Sequence, residues 1–212
     1  MKDYRQLLLS NRAWATELTD ENPEFFSRQV AGQKPDFLWI GCSDSRVSPE
    51  QMTQTQPGGM FIHRNVANLV DPDDLNLMSV VQYAVDVLGV KHVIVCGHYA
   101  CGGLIATLKG GTTGPVDEWL APARDVYRDH VHEIDGCPTE ESRVNRFVEV
   151  NVCDQLIRLA QTDIVQGAFA RGQELFLHGW VYDLRDGLIK PMMEIDGNTV
   201  LEDVGRPEKV LV

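Results

Sequence analysis

Long hydrophobic runs are missing from this chain. Nowhere in its 212 residues is there an apolar stretch of ~18 or more, so no membrane-spanning helix is expected. The opening residues, Met1-Lys2-Asp3-Tyr4-Arg5-Gln6, mix charges and lead into only a short leucine run. They lack the apolar core and small-residue cleavage site of a secretion signal. Basic residues are outnumbered: 19 Lys and Arg stand against 31 Asp and Glu, a formal net charge of −12. Such a surface repels phosphate backbones and argues against a nucleic-acid partner. Cysteine is sparse and odd in number: Cys42, Cys96, Cys101, Cys137 and Cys153. Without a secretion signal, that count argues against a disulfide framework and for a reducing, cytoplasmic setting. Thiols there are core residues, reactive groups or metal ligands. No internal repeat or low-complexity tract stands out.

What remains is an ordinary globular composition, 43% hydrophobic and 24% charged. One domain over residues 1–212 is expected, with an N-terminal helical arm over about 1–34. Leu7, Leu8, Trp14 and Leu18 recur at helical spacing, and Asn22-Pro23-Glu24 reads as a second helix start. Phe37-Leu38-Trp39-Ile40-Gly41 reads as a buried strand that empties into Cys42-Ser43-Asp44-Ser45-Arg46. Met60-Phe61-Ile62-His63 is a second strand. Asp71-Pro72 reads as a helix start, with the helix stopping at Gly89. His92 to Cys96 is a third strand, emptying into Gly97-His98-Tyr99-Ala100-Cys101-Gly102-Gly103. Residues 116–172 are mostly helical, with a break near Gly136-Cys137-Pro138. Leu175 to Tyr182 is a strand that Asp186-Gly187 turns into a hairpin.

Strands separated by helices imply an α/β fold with a mostly parallel sheet flanked by helices, here with a C-terminal edge hairpin. Sites in such sheets form beyond the carboxyl ends of strands. The segments 42–46 and 98–101 both follow strand-like runs, so they are expected to meet in space. Zinc prefers thiolate and imidazole ligands in tetrahedral geometry. His98-x-x-Cys101 offers one of each, Cys42 a third, and Asp44 a conditional fourth. A lone His-x-x-Cys pair is weak; the joint pattern of Cys-x-Asp-x-Arg and His-x-x-Cys-Gly-Gly is far more specific. Along an extended segment, Cys42, Asp44 and Arg46 fall on one side.

These two motifs, with Phe61-Ile62-His63-Arg64-Asn65-Val66-Ala67-Asn68 as a third, resemble the signatures of the β-class carbonic anhydrases. The resemblance runs from about Gln33 to Asp183. It implies one Zn²⁺ per chain on Cys42, His98 and Cys101, with Asp44 and water alternating at the fourth position, which opens to water when Arg46 captures Asp44 in a charge-assisted pair. It implies reversible hydration of carbon dioxide to bicarbonate and a proton by a zinc-bound hydroxide. Thiolate ligands make zinc a weaker acid than three histidines do, so activity is expected to climb on the alkaline side of neutrality. The resemblance places Gln33, Phe61 and Tyr83 around the substrate slot from a neighbouring subunit, and the Gly102 N–H on the substrate oxygen. A homodimer at least, and a homotetramer beyond it, is therefore implied. Without the resemblance, Phe61 and Tyr83 read as core residues.

Trp39, Arg64 and Tyr182 match residues that bind bicarbonate away from the metal in one regulated subgroup of the class. There that binding favours the closed state, with aspartate on zinc. Ordinary packing of the two aromatics and an ion pair for Arg64 is the plainer alternative. His63 and His92 read as core or interface residues, and His130 and His132 as solvated. Two further readings stand beside the main one. The same ligands suit hydrolysis of carbon disulfide or carbonyl sulfide. A structural zinc or thiol redox module would have no use for the Asp44–Arg46 pair.

Overall fold

The computed structural model describes residues 3–201; the expected domain of 1–212 reaches past them at both ends. The chain divides after Lys34 into two compact units. The first holds α1 (Tyr4–Glu21) and α2 (Phe25–Val30). Asp3 caps α1 by accepting from the Arg5 N–H at 3.2 Å. Trp14 meets Phe26 edge-on with ring centroids 5.6 Å apart. The apolar side chains of α1 do not form a buried stripe: Tyr4, Leu7, Leu8, Leu9 and Trp14 stay exposed.

The second unit is built on five strands: β1 (Phe37–Cys42), β2 (Met60–Asn65), β3 (His92–His98), β4 (Phe176–Tyr182) and β5 (Ile189–Ile195). Their order is β2-β1-β3-β4-β5. The first four run parallel, and β5 adds an antiparallel edge through a turn at Gly187. This is the α/β architecture read from the sequence. Its helices are α3 (Pro49–Thr53), α4 (Leu75–Gln82), α5 (Gly102–Lys109), α6 (Pro115–Trp119), α7 (Ala121–Asp129), α8 (Val131–Asp135), α9 (Glu140–Ala160) and α10 (Asp163–Ala170).

Alternation along the strands sorts side chains to two faces. Leu38 and Ile40, Val93 and Val95, and Leu177 bury against Leu77 and Val81 of α4, Leu156 and Leu159 of α9, and Val165 of α10. The other face carries Trp39, Ile94 and Cys96, with Trp180 and Tyr182 packed against them. Helix α9 starts in a capping box, Thr139 with Ser142. It lies so close to β3 that a Cβ at Gly97 would sit 2.6 Å from Val152 Cγ2. Only a glycine lets the helix approach the strand that carries His98.

Three local readings need correction. The helix expected from Asp71 starts later. Asp71 accepts from the Asp73 N–H in a turn, and Asp74 is the cap, accepting from Asn76. Proline at 72 serves that turn rather than a first helical turn. The helix then widens into a π-turn, Tyr83–Leu88, before stopping at Gly89 with φ 67°. His130 is not solvated. It is 3% exposed, with Nδ1 3.1 Å from Glu133 and Nε2 3.4 Å from Asp154. A polar neighbourhood in sequence became a buried polar cluster because α8 folds back onto α9.

The close approach at Gly97 yields a first prediction. Gly97→Ala loses about 1–3 kcal/mol of stability, and Val152→Ala in the same chain restores part of that loss. Urea denaturation of the single and double variants at fixed zinc measures both effects.

Candidate metal centre and active site

The parallel strands β1 and β3 are neighbours, with Gly41 opposite Cys96. From β1 the chain crosses one way to β2, and from β3 the other way to β4, so the carboxyl ends of β1 and β3 flank a topological switch point. Cys42 ends β1, His98 ends β3, and Cys101 stands just before α5. Strand β3 runs two residues past its expected end, so His98 sits on a rigid strand rather than in a loop. Two segments that are 59 residues apart in sequence thus bring the Cys42 and Cys101 sulfurs to 3.9 Å. Their ligand atoms and that of His98 all lie within 4.8 Å of one another, and all three residues are buried.

This donor set fits zinc. A tetrahedral ion with Zn–S bonds of ~2.3 Å would hold two sulfurs ~3.8 Å apart, close to the spacing already present. His98 Nδ1 donates to the Tyr99 carbonyl at 3.0 Å. That bond fixes the tautomer and leaves the Nε2 lone pair facing the cluster. Nε2 is fully buried and has no hydrogen-bond partner among the described residues, as expected of an atom that can face a metal.

Electrostatics prepare the sulfurs. The Cys42 thiol is held well below the ordinary thiol range. The Cys101 thiol donates to it, outweighing the opposing effect of burial, and the Asp44 and Ala67 N–H groups assist. Cys101 is correspondingly pushed up, by that shared proton first and by burial second. The opposite directions of the two shifts favour one thiolate beside one thiol. The Gly103 and Leu104 N–H groups of the first turn of α5 face the Cys101 sulfur and favour its anion. Cys96, two positions before the end of β3, is a buried core thiol.

Asp44 and Arg46 are joined by three bonds. Arg46 donates from its backbone N–H and Nε to Oδ1, both at 2.9 Å, and from Nη2 to Oδ2 at 2.7 Å. The Arg46 side chain holds the Asp44 carboxyl well below the usual carboxylate range. The segment is not extended, as the spacing suggested. The Val47 N–H donates to the Asp44 carbonyl, closing a turn that brings the guanidinium back over the carboxylate. Asp44 Oδ2 lies 3.7 Å from His98 Nε2, at the rim of the cluster.

The remaining candidates lie as follows. Phe61 of β2 and Tyr83 at the start of the π-turn face each other, ring centroids 5.8 Å apart. Phe61 is partly packed on the core, whereas Tyr83 is 44% exposed. Gly102 is exposed at the first position of α5, where an N–H has no acceptor within the helix. Gln33 is exposed in the N-terminal unit. Trp39 and Tyr182 join one apolar cluster on the sheet face away from α9. Arg64 shares that face, since it pairs in register with Gly41. Its Nε donates to the Cys42 carbonyl at 2.8 Å and its Nη2 to the Asp44 carbonyl at 2.6 Å. A cavity of about 680 Å³ lined by Met78, Ile157 and Ile164, among others, contains none of these residues.

Sequence reading passed over the backbone that completes the site. Ala67 takes a left-handed φ of 66° within the turn Val66–Asn68, which aims its N–H at Cys42. Asn151 and Gln155 of α9 pin this stretch, donating to the Ala67 carbonyl at 3.2 Å and accepting from the Val70 N–H at 2.7 Å. An alanine carries no signal for a left-handed conformation. The two α9 amides could have been found as polar residues on an otherwise apolar helical face.

The comparisons with known proteins agree with this geometry. The sequence model of a family described as carbonic anhydrase matches residues 37–189. A carbonic anhydrase of Emericella nidulans is 44% identical over 201 residues, covering 95% of this chain and 88% of the relative. One of Pseudomonas aeruginosa is 39% identical over 175 residues, covering 78% of this chain and 77% of its own. Among solved structures, a chain from work on two tetrameric β-carbonic anhydrases of Sordaria macrospora superposes with a TM-score of 0.87 at 40% identity. It covers 91% of this chain and 98% of its own. A Coccomyxa β-carbonic anhydrase in complex with acetazolamide also reaches 0.87 at 40% identity, covering 92% and 89%. The chain belongs to the carbonic anhydrase family. Within it, the fold and the Cys-His-Cys cluster place the chain in the β class, zinc enzymes that interconvert carbon dioxide and bicarbonate.

The shared proton predicts the stoichiometry of metal binding. With the Cys42 thiol lowered and the Cys101 thiol raised, zinc uptake at pH 8 is expected to release about one proton from the two thiols rather than two. Titration of zinc-free protein with zinc in weak buffer, read by a pH indicator, checks this count.

Proposed function

We propose that the chain catalyses the reversible hydration of carbon dioxide at a zinc ion held by Cys42, His98 and Cys101, with Asp44 and Arg46 as the gate to the fourth position. The observation that carries this reading is the buried cluster of two sulfurs and one imidazole nitrogen beside a carboxylate already captured by an arginine. The bound ion supplies Lewis acidity, which makes water a usable nucleophile near neutral pH. The protein does the rest. Two thiolates neutralise a divalent charge, so a third anion is not needed and would block the site. Arg46 keeps Asp44 occupied in a charge-assisted pair. A structural zinc site has no use for such a pair. The Tyr99 carbonyl orients His98, and the Gly102 N–H is available to a developing oxyanion. Carbon dioxide is small and apolar, so the slot needs apolar walls rather than a polar cage. Phe61, Tyr83 and Gln33 are assigned to that slot from a neighbouring copy. The reading thus includes a homodimer, and a homotetramer beyond it. It is supported by the exposed Tyr83, by the exposed apolar side chains of α1, and by the tetrameric relative from Sordaria macrospora. The five cysteines are all free, which suits a cytoplasmic setting.

The reading extends to regulation by bicarbonate at Trp39, Arg64 and Tyr182. Trp39 is fully buried and its Nε1 donor has no acceptor among the described residues. A Cβ at position 41 would lie 2.4 Å from that nitrogen, so Gly41 leaves room there. Arg64 holds the carbonyls of Cys42 and Asp44. An anion drawing on Arg64 competes with those carbonyls and frees the Asp44 turn. The closed form must then contact bicarbonate better, since a ligand that binds both states equally shifts nothing.

Cys42→Ser abolishes both zinc retention and hydration activity, while Arg46→Ala keeps zinc and loses most activity at pH 7. Metal analysis beside stopped-flow hydration measures both; a Cys42→Ser variant with full zinc and full activity would sink the assignment. A sulfide-release assay on the same preparation tests the carbon disulfide or carbonyl sulfide alternative. For regulation, bicarbonate inhibits wild type steeply at lower pH, and Trp39→Ala and Tyr182→Phe lose that inhibition. Equal sensitivity in all three proteins refutes the regulatory site.

A further inference from the structure

We propose that Tyr99, anchored by Glu149, is a positioning residue that sets the orientation of the His98 imidazole. This rests on the reading of Cys42, His98 and Cys101 as zinc ligands.

Tyr99 lies between two of those ligands and is held at every edge. Its carbonyl accepts from His98 Nδ1 at 3.0 Å. Its N–H donates to the Tyr182 carbonyl at 3.0 Å. Its hydroxyl donates to Glu149 Oε1 at 2.7 Å. Its ring carries Lys190 Nζ at 5.0 Å and the Arg185 guanidinium at 5.7 Å. Both cations pair with Asp183, at 3.1 and 2.8 Å. The next residue, Ala100, has a left-handed φ of 55°, a conformation that a non-glycine residue holds only when its surroundings impose it.

The anchor is itself braced. Glu149 Oε2 accepts from Arg146 at 2.8 Å, and Arg146 also pairs with Glu133. Glu133 reaches the buried His130 at 3.1 Å. Tyr99 is 5% exposed, Glu149 8% and Asp183 1%. Charged groups taken out of water this far are poor value as stabilisers, because an apolar core of the same volume does as well or better. Their use is geometric. They direct one phenol, and through it one carbonyl, in a place where apolar packing would leave the loop free to rotate. The orientation of a metal-ligating histidine depends on the acceptor behind it, and loss of such a partner commonly costs about 10–100-fold in metal affinity.

The test uses full-length wild type, Tyr99→Phe, Glu149→Gln and the double variant. Zinc affinity is measured by chelator competition, ligand geometry by the visible absorption of the cobalt-substituted proteins, and kcat and KM by stopped flow. Each single variant is expected to bind zinc about 10–100-fold more weakly, to shift the cobalt band, and to lose kcat with KM unchanged. The double variant is expected to lose no more than the worse single one, because phenol and carboxylate act as one unit. Wild-type affinity and an unshifted cobalt band in both singles overturn the proposal, whatever their melting temperatures. Additive losses in the double variant overturn it too. If Glu149→Gln fails to fold, Tyr99→Phe decides alone, since it keeps the ring and removes only the hydroxyl. A wild type that binds no zinc overturns the ligand reading itself, and is distinguished from failure of the positioning role by that first measurement.

Discussion

Two cysteine sulfurs lie 3.9 Å apart beside a fully buried imidazole nitrogen with no hydrogen-bond partner among the described residues. Burying ionisable groups this way is costly unless a cation or a proton holds them together. Much of the surrounding structure answers to that cost. Parallel pairing of β1 and β3 sets the sulfurs and the imidazole side by side. The first turn of α5 and the left-handed Ala67 aim N–H groups at the sulfurs. Gly97 lets α9 pack directly under the strand that carries His98.

The same constraint explains the polar groups beneath the Cys-His-Cys cluster. Asn151 and Gln155 on α9 satisfy the backbone of residues 67–70, which cannot join a regular ladder while it bends round the sulfurs. Glu149, on the same helix, reaches Tyr99. Helix α9 therefore does two jobs. Its apolar side chains close the core, and three polar ones hold the two loops that shape the site. The Asp44–Arg46 pair stands at the opposite rim, more exposed, where a small change in Arg64 contacts reaches the Asp44 backbone directly.

The architecture was largely legible from periodicity, because short apolar runs bounded by turns and separated by helical stretches leave few alternatives to a parallel sheet. The edge hairpin at Gly187 was legible for the same reason. Capping was less so: Asp71 and Asp74 both look like caps, and only the turn at Pro72 decides between them. The burial of His130 is not legible, because sequence shows a polar neighbourhood but not whether a second helix covers it.

By itself the sequence determined the donor set. Residues of the right chemistry after two strand-like runs, with Asp and Arg at fixed spacing, define which atoms can meet a metal. The order of the strands, which puts the ends of β1 and β3 side by side, was decided in three dimensions. So were the turn that folds Arg46 back onto Asp44, the left-handed alanines at 67 and 100, and the buried charges that grip Tyr99. The reason is the same in each case. A ligand's identity is local chemistry carried by one residue, whereas its orientation is set by contacts from elements tens of residues away.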